Sequence, residues 1–251
     1  MAKIFITGSA DGLGQLAAKE LINQGHEVVL HARNAVRGKD ALSALPAAKN
    51  VVTADLSNIE ETKAFASTLN ALGPFDAVIH NAGVYQASDK LTFLINTIAP
   101  YILTCLIQKP KRLIYLSSGM HLHGHPSMQN LVSDMQNRNK YPNYSDTKLH
   151  IVILCMLVAR KWTNVYANAV DPGWVPTKMG GRGAPDSLVK GFQTQAWLAV
   201  SDDNTAKVSG RYFHHKKEAH YLPAADDITV QEKFLALCEQ ISGVHFPADD
   251  Q

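Results

Sequence analysis

Short apolar runs alternate along the chain with longer segments in which apolar residues recur every three or four positions. Such short runs are typical of strands buried on both faces of a sheet. They cover residues 3–7, 27–31, 50–54, 75–80, 112–117 and 165–171. The segments between them, for example 13–24 and 59–72, have the length of crossover helices. The alternation therefore predicts βαβ units and a doubly wound parallel sheet.

The last part of the chain continues this pattern more weakly. A short strand is predicted near residues 210–214, where it would be the seventh of the sheet. A final helix is predicted over residues 229–241, because apolar residues from Val230 to Ile241 fall on one face. We therefore expect an α/β fold with about seven parallel strands and helices on both faces.

The composition favours a single packed domain over residues 1–251. Apolar residues make up 46% of the chain and charged residues 18%, which is enough for a full core and argues against disorder. A chain of this length fits one large α/β domain. The formal net charge is only +2, and Lys and Arg are spread without a basic block. Nucleic acid is therefore not an expected partner.

Three features of the chain bear on its compartment. Cys105, Cys155 and Cys238 lie in apolar runs and are expected to be buried as free thiols. The first residues lead directly into an apolar strand, so no signal peptide is expected. The longest apolar stretch, residues 151–159, is shorter than the roughly 20 residues of a membrane span. Together these features predict a cytoplasmic protein without a membrane span.

Two segments break the alternation of strands and helices. Residues 119–143 are polar and rich in His, Asn and Met, whereas residues 172–195 begin with a stretch rich in Gly and Pro. Both follow predicted strands and leave the carboxyl edge of the sheet, where open α/β sheets bind ligands. Long irregular segments in a compact domain are often functional. We therefore expect both to be substrate-side loops.

The first predicted strand ends in a glycine-rich turn that leads into a helix. The turn reads Thr7-Gly8-Ser9-Ala10-Asp11-Gly12-Leu13-Gly14. Its glycines permit a close approach of the backbone to a pyrophosphate, and the helix N-terminus offers free N–H groups and a positive dipole end. A purely structural turn is the alternative, but a strand, a glycine turn and a helix in this order favour dinucleotide binding.

The end of the second predicted strand indicates which dinucleotide binds. NAD enzymes usually carry Asp or Glu here for the ribose hydroxyls, whereas NADP enzymes carry Arg near the 2′-phosphate. This chain has Arg33, with Arg37 nearby, and no acidic residue from Leu30 up to Asp40. A guanidinium can donate two parallel hydrogen bonds to a phosphate. We therefore expect NADP(H) in preference to NAD(H).

Further motifs follow the glycine turn. They are Asp55-Leu56, Asn81-Ala82-Gly83, Asn96, Ser117-Ser118, the pair Tyr144 and Lys148, and a segment with Pro172, Gly173, Val175 and Thr177. With the spacing of the glycine turn, they make the chain similar to the short-chain dehydrogenase/reductase family over nearly its whole length. The resemblance implies a Rossmann fold and an oxidoreductase that transfers a hydride between a nicotinamide and a carbonyl or alcohol.

The resemblance also implies a role for each motif. Tyr144 is the implied proton donor, and Lys148, one helical turn later, lowers its pKa by its positive charge. Ser118 donates to the substrate oxygen, with Ser117 as the alternative, and Asn96 holds a water molecule. Cofactor contacts are implied for Thr7, Gly8, Ser9, Asp11, Gly12, Leu13, Gly14, Arg33, Asp55, Leu56, Asn81, Ala82, Gly83, Tyr144, Lys148, Pro172, Gly173, Val175 and Thr177.

The substrate is indicated only by class. Ser118 and Tyr144 are 26 positions apart, a longer separation than in the simplest family members and similar to that of carbonyl reductases and retinol dehydrogenases. A lipophilic or aromatic carbonyl or alcohol is expected, because the pocket candidates are mostly apolar. These candidates are Met120, Tyr141, Trp174, Met179 and Phe192.

Other interpretations carry less weight. Tyr141 is a rival to Tyr144, but it has no lysine four residues later. His121, His123 and His125 form an alternating run without a nearby carboxylate or cysteine, so no metal is expected.

The residues inserted before Tyr144 favour a monomer or a homodimer. A non-catalytic NADP-binding regulator on the same fold is the alternative function.

Overall fold

The architecture is one sheet with helices on both faces. The computed structural model describes residues 1–248, and within them the sheet contains eight strands. The strands are β1 (Lys3–Ile6), β2 (Glu27–Ala32), β3 (Asn50–Thr53), β4 (Ala77–His80), β5 (Arg112–Leu116), β6 (Tyr166–Asp171), β7 (Arg211–His214) and β8 (Lys217–Glu218). Their spatial order is β3-β2-β1-β4-β5-β6-β7-β8, and all pairs are parallel except β7 with β8. The predicted doubly wound α/β fold is confirmed.

Helices connect the parallel strands by crossovers. They are α1 (Gly12–Asn23), α2 (Ala35–Ala44), α3 (Ile59–Ala71), α4 (Asp89–Phe93), α5 (Ala99–Leu106), α6 (Leu131–Arg138), α7 (Tyr144–Lys161), α8 (Leu188–Val200) and α9 (Ile228–Ser242). A π-helical turn, Leu94–Ile98, joins α4 to α5, and short 3-10 turns cover Gly119–His123 and Pro223–Ala225.

The core has two parts, one on each face of the sheet. Helices α1, α2 and α8 cover one face through residues such as Leu21, Ala41 and Leu198. Helices α3, α5, α7 and α9 cover the other face, where the middle of α7 is buried around its whole circumference. This burial explains why residues 151–159 are continuously apolar.

The order of the strands places a crevice at the carboxyl edge of the sheet. The chain moves outwards from β1 to β3 and then returns to place β4 on the other side of β1. At such a switch point the connections on the two sides diverge and leave room for a ligand. The glycine turn follows β1 and residues 81–83 follow β4, so both lie at this crevice.

The structure adds two features that the hydrophobic pattern did not predict. Strand β8 has only two residues, both exposed, and it pairs with β7 through a turn in which His215 and Lys216 have positive φ angles of 50° and 63°. The π-helical turn inserts one extra residue per turn between α4 and α5 and buries Asn96.

Candidate active site

A cleft of about 740 Å³ lies at the switch point of the sheet. It is lined by the glycine turn, the carboxyl ends of β2 to β5, the first turns of α7 and part of the loop after β6. Among the residues expected to bind cofactor, those on the lining are Gly8, Asp11, Gly12, Leu13, Arg33, Asp55, Leu56, Asn81, Ala82, Gly83, Tyr144, Lys148, Pro172 and Thr177. These residues come from all parts of the chain between positions 8 and 177.

The glycine turn is held from behind by the segment that follows β4. The Thr7 hydroxyl oxygen accepts hydrogen bonds from the backbone N–H groups of Asn81 and Ala82, both at 2.9 Å. A Cβ atom on Gly8 would lie 2.8 Å from the Ala82 Cα, and one on Gly14 would lie 2.4 Å from the Asn81 side-chain nitrogen. Thr7 and Gly14 therefore shape the turn and do not line the cleft.

Ser9 and His31 form a second support for the turn. The Gly8 N–H donates to His31 Nδ1 at 2.9 Å, so this nitrogen accepts and Nε2 donates to the Ala54 carbonyl at 3.0 Å. The Ser9 hydroxyl accepts from the His31 N–H at 2.8 Å. Burial lowers the pKa of His31 to about 4, so the ring stays neutral. The sequence analysis missed His31, although a histidine within an apolar strand pattern is a signal for such a role.

Positive charge gathers at the end of the cleft nearest β2. Arg33 is exposed on its lining, and Arg37 Nη2 lies 2.6 Å from Asp11 Oδ2. Lys178, from the loop after β6, reaches the same carboxylate oxygen at 3.0 Å. Burial opposes ionisation of Asp11, but the hydrogen bonds from Lys178 and Arg37 outweigh it and lower the pKa of the carboxyl group. Asp11 thus links the glycine turn, α2 and the loop after β6.

Tyr144 is fixed by the start of α7. A capping box at Asn143 and Asp146 begins the helix, so Tyr144 occupies its first position. The ring lies edge-on to Tyr85, with 4.8 Å between centroids. Burial raises the pKa of Tyr144 to about 12, the Ser118 hydroxyl opposes this by a hydrogen bond, and the Asp171 carboxylate adds to it. Tyr85 is a second residue that the sequence analysis missed.

Lys148 lies close to the ring of Tyr144 and is held by the main chain at the end of β5. Its ammonium group donates to the Leu116 carbonyl at 3.0 Å and lies 5.5 Å from the centre of the Tyr144 ring. Burial lowers the pKa of Lys148 to about 8, against the opposing effect of Asp171. The expectation that Lys148 lowers the pKa of Tyr144 stays a prediction, since burial is the largest influence on the tyrosine in this structure.

The two serines at the end of β5 face different partners. The Ser117 hydroxyl is buried and donates to the Lys148 carbonyl at 2.9 Å. The Ser118 hydroxyl accepts from the Met120 N–H at 3.3 Å and interacts with Tyr144. Ser118 therefore shares a site with Tyr144, whereas the Ser117 side chain connects β5 to α7.

Asn96 connects the π-helical turn to the segment after β4. Its side-chain oxygen accepts from the Val84 N–H at 2.8 Å, and its nitrogen donates to the Val84 carbonyl at 3.0 Å and to Thr147 at 3.2 Å. A Cβ atom on Gly83 would lie 3.3 Å from Lys148 Nζ and 3.4 Å from Asn96 Oδ1. Asn96 and Lys148 thus approach Gly83 from two sides.

The loop after β6 closes one side of the cleft. Thr177, Lys178 and Met179 line the cleft, whereas Val175 is buried behind them. Gly173 has a φ angle of 79° and donates its N–H to Asp171 at 2.9 Å. The Trp174 ring donates to the Gly180 carbonyl at 2.8 Å, which folds the loop on itself. Of the apolar pocket candidates in this region, Met179 lines the cleft and Trp174 does not, whereas Phe192 of α8 is partly buried and packs against the core.

The other predicted substrate-side segment, residues 119–143, lies mostly elsewhere. None of its residues lines the main cleft. Instead, α6 and Tyr141 border a separate cavity of about 700 Å³ beside α3, α4 and α9. Tyr141 packs against Phe93, with 6.3 Å between ring centroids, and it does not line the main cleft, where it was expected as a pocket residue. The apolar Met128 and Met135 direct this segment towards the core because they are buried there.

The histidines of the alternating run have separate environments. His121 is fully buried and bonded to the main chain, whereas His123 and His125 are exposed. Within residues 1–248, no three His, Cys, Asp or Glu side chains come together as metal ligands. In the same part of the chain, no helix is both long and apolar enough to span a membrane.

Comparisons with known proteins identify the family. The short chain dehydrogenase family model matches residues 2–104. An uncharacterized oxidoreductase of Emericella nidulans is 45% identical over 98% of this chain and 99% of its own. The short-chain dehydrogenase chyC of Penicillium rubens is 37% identical over 99% of this chain and its own whole length. Mouse retinol dehydrogenase 14 is 29% identical over 96% of this chain and 86% of its own.

Solved structures share the fold at lower identity. A protein from Mycobacterium paratuberculosis has a TM-score of 0.78 at 20% identity and covers 98% of this chain and 95% of its own. A blue fluorescent protein from a metagenomic library, solved in complex with NADPH, has a TM-score of 0.68 at 18% identity and covers 84% of this chain and 95% of its own. The full-length relatives and the shared fold lead to one conclusion: the chain is an oxidoreductase of the short-chain dehydrogenase/reductase family.

Proposed function

We propose that this oxidoreductase uses NADP(H) to interconvert a lipophilic or aromatic carbonyl compound and its alcohol. The observation that carries the proposal is the layout of one cleft. Arg33 lies at one end of its lining, and Tyr144 and Lys148 lie at the other, with the glycine turn between them. A dinucleotide that spans this cleft would place its adenosine phosphate near Arg33 and its nicotinamide near Tyr144.

The glycine turn fits a dinucleotide phosphate. Helix α1 begins at Asp11 without a side-chain cap, whereas α2, α3 and α7 are capped by Asn34, Asn58 and Asn143. The first N–H groups of α1 are therefore open to phosphate oxygens. A Cβ atom on Gly12 would meet no atom within 4 Å, so the cleft is open at that point. The NADPH complex of the structural relative supports the same choice of ligand.

The residues at the other end suit carbonyl reduction. The cofactor supplies a hydride, so the protein must supply a proton and stabilise charge on the substrate oxygen. Tyr144 is protonated at pH 7 and can supply this proton from its phenol hydroxyl group. The Ser118 hydroxyl faces the same point and donates a hydrogen bond to the oxygen. Lys148, whose pKa is about 8, holds a proton that can move towards Tyr144 after transfer.

Aromatic and apolar side chains support the substrate class. Tyr85 lies edge-on to Tyr144 and is 42% exposed, so its ring can contact a ligand at the reactive end. Met179 lines the cleft itself. An apolar substrate would cover these surfaces, whereas a small polar substrate would leave them exposed to water.

The first prediction concerns cofactor preference. Arg33→Ala is expected to reduce the preference for NADPH over NADH by about 1–3 kcal/mol, because a charged hydrogen bond to the 2′-phosphate is lost. Fluorescence titration of both cofactors measures this preference. Arg138→Ala is the matched control, since Arg138 lies on α6 and pairs with Asp134. Tighter binding of NADH than of NADPH by the wild type would contradict the prediction.

The second prediction separates the two serines. Ser118→Ala is expected to lower kcat by about 100- to 1,000-fold, because a donor to the substrate oxygen is lost. Ser117→Ala is expected to lower kcat far less and to reduce the free energy of unfolding by about 1 kcal/mol, because a buried hydrogen bond to Lys148 is lost. Steady-state kinetics and urea denaturation test both. The reverse order of the kcat values would reassign the role to Ser117.

A third prediction concerns the oligomeric state. Helix α6 and Tyr141 lie over Phe93 of α4, on the side where the family resemblance implies that shorter members pair their helices. We therefore expect a monomer or a homodimer at micromolar concentration. Light scattering measures the mass in solution, and a stable tetramer would show that residues 119–143 leave the pairing surface free.

A further inference from the structure

His121 is a fully buried histidine next to the proposed reaction centre, and neither the family motifs nor the proposed mechanism uses it. It lies in the 3-10 turn that follows Ser118 and has no exposed surface. Its ring packs on Tyr212 of β7, with 4.7 Å between centroids. A buried polar ring of this kind must satisfy both of its nitrogens.

The contacts of His121 define its tautomer. The Leu222 backbone N–H lies 3.3 Å from Nε2 and can only donate, so Nε2 accepts. The hydrogen therefore resides on Nδ1, which donates to the Ser118 carbonyl at 2.8 Å. The Ser118 carbonyl also accepts the backbone N–H of His121 at 2.9 Å. One residue thus holds the Ser118 carbonyl with two hydrogen bonds.

The same environment reaches the neighbouring serine. The Tyr212 hydroxyl lies 3.2 Å from His121 Nδ1 and interacts with the Ser117 hydroxyl. Ser117 in turn donates to the Lys148 carbonyl. The side chain of Ser117 therefore connects the end of β5 to β7 and to α7. His121 is the residue of this network that bonds directly to Ser118.

We propose that His121 is a positioning residue that orients Ser118 for the reaction. Ser118 lies two residues after Leu116, the last residue of β5, and it caps the 3-10 turn, so the sheet no longer fixes its backbone. The direction of its hydroxyl therefore depends on the plane of its own peptide group, which the two hydrogen bonds from His121 set. This inference rests on the proposed reductase function and on the assignment of Ser118 within it.

A double-mutant cycle tests the inference. His121→Phe keeps a buried aromatic ring and removes both nitrogens. It is expected to lower kcat by about 10- to 100-fold, because misplacement of a reacting group by about 1 Å has an effect of this size. In the Ser118→Ala background the same change is expected to lower kcat by less than about 3-fold, since residues that act as a unit are not additive. The dissociation constant of NADPH is expected to stay unchanged in all four proteins.

Two further variants separate positioning from a loss of fold. His121→Asn keeps a donor near the position of Nδ1 but cannot accept from Leu222, and it is expected to recover most of the lost kcat. His150→Phe is the matched control, because His150 is 1% exposed and bonds to Thr97, away from Ser118. It is expected to lower stability and to leave kcat close to the wild-type value.

The outcomes distinguish this inference from the proposed function. The positioning role would be overturned if His121→Phe lowered kcat equally in the wild-type and Ser118→Ala backgrounds, or did not lower it at all. The reductase function would then remain intact. A wild type that binds NADPH but reduces no carbonyl compound would instead overturn the proposed function and this inference together. Failure of His121→Asn to recover activity would also count against positioning, because it would show that the contact with Leu222 matters and the hydrogen bond to the Ser118 carbonyl does not.

Discussion

Tyr144→Phe is expected to lower kcat by about 100- to 10,000-fold, which is the range for removal of a general acid. The phenylalanine ring keeps the edge-on contact with Tyr85 and the contact with the Lys148 ammonium group. Only the transferable proton is lost, so NADPH is expected to bind as tightly as to the wild type. Steady-state kinetics on a verified substrate and fluorescence titration of NADPH measure the two effects separately.

Tyr141→Phe is the matched control for this experiment. Tyr141 lies three residues earlier in the chain but packs against Phe93 outside the main cleft. Loss of its hydroxyl is expected to leave kcat close to the wild-type value. Near-normal turnover by the Tyr144→Phe variant would show that Tyr144 does not supply the proton.

Lys148→Met is expected to stabilise the protein without cofactor while it abolishes turnover. The pKa of this buried lysine is about 8 in the folded protein, against 10.5 as its ordinary value. Such a lowered pKa corresponds to a cost of about 3 kcal/mol when the lysine is protonated. Methionine removes this cost, but the hydrogen bond to the Leu116 carbonyl is lost with the ammonium group. A net gain of about 1–2 kcal/mol at pH 7 follows.

The effect has a defined dependence on pH. Between pH 8 and pH 10.5 the unfolded chain binds this proton more strongly than the folded protein does, so the stability of the wild type rises with pH in this window. The advantage of Lys148→Met is therefore full below pH 8 and disappears towards pH 10.5. Urea denaturation of both proteins at a series of pH values measures the difference. Saturating NADPH should reverse it, because the wild type gains more from binding.

Lys161→Met is the control on the same helix. Lys161 lies at the end of α7 and pairs with Glu232 at 3.1 Å, with part of its side chain exposed. No gain in stability is expected from its replacement. A Lys148→Met variant that is less stable than the wild type at pH 7 would show that burial of the protonated Lys148 does not destabilise the folded protein.

The sheet was predictable because its strands are buried on both faces. Strands such as β1, β4 and β5 appear in the sequence as apolar runs, and the helical segments between the runs predict that the strands are parallel. Strand β8 was not predictable, since Lys217 and Glu218 are exposed and the turn before them contains neither Gly nor Asn. Helix α6 was not predicted for a similar reason. It is short, and with Met135 as its buried residue it shows no repeating apolar pattern.

The candidate site was predictable only where a residue type and a spacing carry the chemistry. Tyr144 and Lys148 are one helical turn apart, so their proximity follows from the sequence. The supports His31 and His121 were not found, because their partners Gly8 and Leu222 are distant in sequence. The placement of Phe192 was wrong for the same reason, since it depends on which neighbours α8 packs against.

The most direct test of the proposed function is the consumption of NADPH with a panel of lipophilic and aromatic aldehydes and ketones. The oxidation of NADPH is followed by absorbance, and the alcohol product is quantified by chromatography. We expect at least one compound to be reduced with one alcohol formed for each NADPH oxidised, and Tyr144→Phe to abolish that reaction. Tight binding of NADPH without reduction of any compound in the panel would contradict the account and favour a non-catalytic NADP-binding protein.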